Sequence, residues 1–142
     1  MQNLQTANDV EQLNYVQFIS LLKETNRCPG GKATIRKIVQ NAFIQPTSNV
    51  LDIGCNTGFT SLEIARVAKC KVIGIDPVTE ALKVANDTLA NDVAEIQSNV
   101  KFLQASAMDL PFSDNTFDVV VTGGATSFID DKQTAIHQYH RV

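Results

Sequence analysis

At 142 residues, 44% of them hydrophobic, the chain can bury one core and is too short for two ordinary domains. Its net charge is −3, and residues 49–142 hold seven Lys and Arg against twelve Asp and Glu, a balance of −5 that gives no electrostatic ground for nonspecific nucleic-acid binding. No basic and apolar leader opens MQNLQTANDV, no apolar run approaches the roughly 20 residues that span a bilayer, and Cys28, Cys55 and Cys70 lack CxxC spacing, so a soluble, cytoplasmic protein with reduced thiols is expected.

Residues 9 to 24 have the period of an amphipathic helix. Asn8 is its expected N-cap, Glu11 a capping-box partner, and Val10, Leu13, Val16, Ile19 and Leu22 form one face. NRCPGG reads as a turn, and a second helix is expected from about Lys32 to Phe43 on Ile35, Ile38, Val39 and Ala42. From Asn49 the pattern changes to short β-branched runs: NVLDI, KVIGI, VKFLQ and FDVVVT. A helix on Leu62, Ala65 and Ala68 separates the first two. A longer one, on Leu82, Ala85, Leu89, Val93 and Ile96, separates the second from the third. Strands alternating with helices predict an α/β fold, an open parallel sheet with helices on both faces. The three valines of FDVVVT ask for burial on both sides.

The stretch LDIGCNTGFT places a glycine-bearing turn at the carboxyl end of the first strand, where open parallel sheets bind ligands. Gly54 and Gly58 can take positive φ or let backbone approach a ligand, and Asn56 tolerates the left-handed region. The dinucleotide fingerprint GxGxxG/A fails at two of its three positions, Asn56 and Phe59. A pyrophosphate is therefore disfavoured, and with it a nicotinamide oxidoreductase. Asp52, two residues before Gly54, suits a ligand with a cationic amine. Asp76, at the end of the second strand and 22 residues past Gly54, can accept from both ribose hydroxyls of any of several nucleoside cofactors.

Residues 49 to 142 resemble the first half of a class I S-adenosylmethionine-dependent methyltransferase with a Rossmann-like fold. VLDIGCNTG resembles the family's VLDIGCGTG, with Asn56 for the middle glycine. VIGIDPVTEALKVA resembles its second-strand motif, QASAMDLPFSDNTFDVVV resembles GDAEALPFPDGSFDVVV, and AIHQYHRV resembles the helix that leads into RVLKPGG. The resemblance implies S-adenosylmethionine as cofactor. Asp52 and the loop of Gly54, Cys55, Asn56 and Gly58 would hold its methionine portion and Asp76 its ribose. Pro77, Ala107 and Met108 would border the adenine, and Thr122 at the fourth strand's end completes the set. Ser106 stands where the family usually has an aspartate for the adenine amino group, and its bond would lack charge assistance.

A small-molecule methyl acceptor follows from the same resemblance. Thr122-Gly123-Gly124-Ala125 replaces the Asn/Asp-Pro-Pro-Tyr/Phe motif of nucleobase-amine methyltransferases, so nucleic acid is not an expected partner. No general base is identified. His137 and His140, three apart on the last helix, have no identifiable carboxylate or cysteine partner, and no metal is expected. Residues 1–48 form an amino-terminal helical segment in which 9–31 is expected to cover the cofactor, and 49–142 form the cofactor domain. The family sheet has seven strands and this sequence reaches the fourth, so a truncated domain is expected, with self-association or a completing chain along FDVVVT. A cofactor-binding or structural module without turnover of its own is the alternative.

Overall fold

The structure, a computed structural model, describes residues 10–13, 17, 18 and 28–142. Ten of the sixteen residues of the first predicted helix, its Asn8 cap and the greater part of the 9–31 cover lie outside the described residues, while Val10, Glu11, Gln17 and Phe18 are helical. The described chain runs α1 (Gly31–Asn41), β1 (Asn49–Ile53), α2 (Phe59–Ala68), β2 (Lys71–Asp76), α3 (Thr79–Ala90), α4 (Ala94–Asn99), β3 (Val100–Gln104), β4 (Val119–Thr122), a 3-10 turn (Ala125–Phe128) and α5 (Lys132–Arg141).

The four strands form one parallel sheet in the order β3-β2-β1-β4, which bears out the expected α/β architecture. After β3 the chain returns to the far side of β1, so strand order reverses between β1 and β4. The crevice beyond their carboxyl ends is the place where such sheets bind ligands. Register brings the ends level: Ile53 lies opposite both Ile75 and Thr122, and Asp76 opposite Gln104.

Alternation along β1 divides the core. Val50 joins Ile35, Ile64, Val72 and Val100 on the face covered by α1 and α2, while Leu51 and Ile53 join Ile75, Leu110 and Val142 on the other. Tyr139 of α5 packs against this second cluster, putting helices on both faces. Each wholly buried Ile, Leu or Val is worth roughly 1.5–3 kcal/mol, so the central strands hold the site's frame rigidly. Lys32, at the start of α1, pairs with the buried Glu63 of α2 at 3.1 Å and ties the two helices together.

Three expected boundaries move. The long helix after β2 is two helices, and Val93 is 62% exposed rather than part of a core face. Local polar groups compete with helix continuation here: Asp92 Oδ1 accepts from Val93 N at 2.9 Å, and Gln97 Nε2 donates to the carbonyls of Ala90 and Asp92. The second predicted helix stops at Asn41, leaving Ala42 exposed as its cap. FDVVVT loses its first two residues to other work, because Phe117 N donates to Val142 O and Asp118 N to Asn49 O. Of its valines, Val121 is buried, while Val119 and Val120 are half-buried.

Candidate functional site

The turn after β1 is held by backbone before any ligand is considered. Gly54 N and Cys55 N both donate to Ile75 O, at 2.8 and 2.9 Å, binding the loop to the end of β2. Asn56 takes φ 48, its N donates to Asp76 Oδ2 at 2.9 Å, and its Oδ1 accepts from Thr57 N at 2.8 Å. Gly54 and Gly58 have φ 70 and 88, as the sequence pattern allows. Their close approaches are to the protein itself: a Cβ on Gly54 would lie 2.2 Å from Ala125 Cβ, and one on Gly58 2.7 Å from the Phe102 ring.

Two carboxylates meet this loop. Asp52 is 1% exposed, and Ser61 Oγ donates to its Oδ2 at 2.6 Å. Burial pushes its carboxyl up to about 7, against the pull of the Ser61 hydrogen bonds and with a smaller push from Asp76. Asp76 is also buried and also raised by burial, with the N–H groups of Val78 and Asn56 acting the other way. Its Oδ1 accepts from Val78 N and its Oδ2 from Asn56 N, both at 2.9 Å. Each oxygen keeps a second lone pair, so ribose hydroxyls can still be received.

Asp52, Gly54, Cys55 and Asn56 line one recess in the β1/β4 crevice. Cys28, Thr60 and Gly123 complete its lining. None of these three was expected as a cofactor residue, because they come from the turn before α1, the first turn of α2 and the exit of β4. Asp76 stands behind the recess and reaches it through Asn56, and Gly58 is closed off under Phe102. Cys55 is a buried free thiol.

The remaining predicted residues follow the same edge of the sheet without entering the recess. Pro77 is exposed, and its carbonyl accepts from Gln104 Nε2 at 3.1 Å. Ser106 is exposed with its Oγ accepting from Met108 N at 3.2 Å, and the Ser106–Asp109 bridge tightens this turn. Ala107 is half-buried, and Met108 is 43% exposed. Thr122 lies on the β4 side, its Oγ1 3.2 Å from Thr126 Oγ1. Phe128, 85% exposed on the following turn, is an aromatic that no period in the sequence marked.

Residues 50–142 match the family model described as a methyltransferase domain. The chain belongs to the class I S-adenosylmethionine-dependent methyltransferases. It is 35% identical over 109 residues to a ubiquinone/menaquinone biosynthesis C-methyltransferase from Marinomonas sp., covering 75% of this chain and 43% of that protein. It is 30% identical over 127 residues to an uncharacterized protein of Haemophilus influenzae, covering 88% of this chain and 50% of that protein. The crystal structure of the MccD protein superposes with a TM-score of 0.76 at 34% identity, over 82% of this chain and 50% of that one. The chain thus spans about half the length of these relatives. Among the described residues, no group of His, Cys, Asp and Glu could hold a metal ion, and no helix is long and apolar enough to cross a membrane.

Proposed function

We propose that this methyltransferase transfers a methyl group from S-adenosylmethionine to a small-molecule acceptor, with residues 49–142 as the cofactor domain. The observation that carries the reading is the buried Asp52 carboxylate lining a recess whose rear wall is organised by Asp76. This donor set fits the cofactor: an anionic acceptor for its ammonium, and a second carboxylate with spare lone pairs for its ribose. In this reading Gly54, Cys55 and Asn56 lie along the methionine portion. Pro77, Ser106, Ala107 and Met108 border the adenine, and Thr122 closes the β4 side. Gly58 acts through the backbone turn rather than by contact.

When bound, S-adenosylmethionine supplies an activated methyl group on a sulfonium. The protein then has to orient the acceptor for in-line displacement and exclude water, and orientation can lower a barrier by roughly 7–11 kcal/mol. A small acceptor fits the β4 exit, where Thr122, Gly123 and Gly124 offer no carboxamide to hold a nucleobase amine. The naming of the Marinomonas relative for a quinone pathway supports the same class. The 9–31 segment belongs to the proposal as a cover. So does self-association, or a completing chain, along β4, which pairs only with β1 in the described sheet.

The test is incubation of the full chain with S-adenosylmethionine and a panel of quinols, phenols and nucleosides, following S-adenosylhomocysteine release. Release with a quinol or phenol is the expected result. Release with nucleosides alone, or binding of the cofactor with no release for any acceptor, contradicts it.

A further inference from the structure

We propose that Gly123 reserves space in the recess for the amino-acid end of the cofactor, with Cys28 and Thr60 as the walls beside that space. The inference rests on the cofactor reading above and adds a positioning device that the reading does not require. Gly54 and Gly58 are demanded by the fold, through positive φ and through side chains that already fill the space of a Cβ. Gly123 is not. It lies outside the positive-φ glycines, and the left-handed step of this turn is made by Gly124, at φ 112. A Cβ added at Gly123 would sit 3.7 Å from Cys28 Cβ and 3.9 Å from Thr60 Oγ1, ordinary contact distances. The protein could hold a side chain there, and what that side chain would remove is room between two walls of the recess.

The chemistry of the walls suits an amino acid. Asp52, on the same recess, is an acceptor for an ammonium, and the buried Thr60 hydroxyl can donate to a carboxylate. Cys28 is 9% exposed, and its Sγ donates to Gly31 O in a long contact of 3.6 Å. Burial first, and then the charge of Asp52, push its thiol up, against the pull of a Thr60 hydrogen bond. Held neutral, it is a poor nucleophile and serves as a soft wall beside a methyl donor instead of accepting the methyl itself.

The deciding variant is G123A, compared with the unaltered chain for binding of S-adenosylhomocysteine and of 5′-methylthioadenosine, which lacks the amino-acid end. The expected result is a native circular-dichroism spectrum and thermal midpoint. S-adenosylhomocysteine affinity falls by at least about tenfold, the scale of an overpacked methyl, and 5′-methylthioadenosine affinity stays within about twofold. Equal loss for both ligands, no loss for either, or a variant that fails to fold would each overturn the inference and leave the cofactor reading standing. An unaltered chain that binds neither ligand removes both. A second arm follows iodoacetamide capture of Cys28, with the fully buried Cys70 as reference. S-adenosylhomocysteine should slow Cys28 capture selectively and 5′-methylthioadenosine should not; slowing at both thiols alike contradicts the placement.

Discussion

The two lips of the crevice are built in opposite ways. On the β1 side every residue from Leu51 to Ala65 is buried except Gly54, which is half-buried, and the loop amides are spent on Ile75 O and Asp76. On the β4 side Thr122, Gly123, Gly124, Ser127 and Phe128 are exposed, and short contacts among hydroxyls and the Gly124 carbonyl do the tethering. A ligand on the first lip meets a surface that cannot rearrange without breaking the sheet. One on the second meets side chains whose replacement leaves the core intact. In the proposed function, the fixed lip serves the cofactor and the exposed turn beyond Gly123 serves the acceptor.

The largest expected effect breaks the rigid lip. G54A must place a Cβ 2.2 Å from Ala125 Cβ at φ 70, and it should cost more than about 2 kcal/mol in urea unfolding. Stability equal to the unaltered chain would show that the loop is softer than its bonding implies.

Next comes the charge on that lip. Burial raises the folded-state Asp52 pKa from 3.8 to about 7, so between those values the native chain holds a proton the unfolded chain has released. Its contribution to stability therefore falls as pH rises through that window and levels off above it. A ligand ammonium beside Asp52 favours the ionised form, so S-adenosylhomocysteine affinity should rise between about pH 6 and 8. D52N should bind more weakly and lose that rise; an unchanged pH profile in D52N would remove Asp52 as the amine's acceptor.

The smallest effect belongs to the open lip. F128A should leave stability within about 0.5 kcal/mol and cofactor affinity unchanged, while raising the KM for the acceptor. An unchanged KM would place the acceptor elsewhere.

The same contrast explains what could be read in advance. β1, β2 and β3 were legible to within a residue because each is a β-branched run bounded by turn formers, and Asp52, Gly54 and Asn56 because a turn at a strand end keeps its spacing. The break at Asn91–Val93 was not, since Leu89, Val93 and Ile96 keep helical spacing while the deciding bonds come from Asp92 and Gln97. Cys28, Thr60 and Gly123 meet only through tertiary packing, so no local period could join positions 28 and 123. The partners of Gly54 and Gly58 were equally hidden. Their φ was visible in the residue type, but Ala125 and Phe102 arrive from the loop after β4 and from β3.

Calorimetric titration of the full chain and of D76N with S-adenosylmethionine and with NAD tests the central claim most directly. Saturable binding of S-adenosylmethionine at one site, weakened at least about tenfold when the charge of Asp76 is removed, and no binding of NAD is the predicted result. Saturable NAD binding, or S-adenosylmethionine binding that is absent or indifferent to D76N, would contradict it.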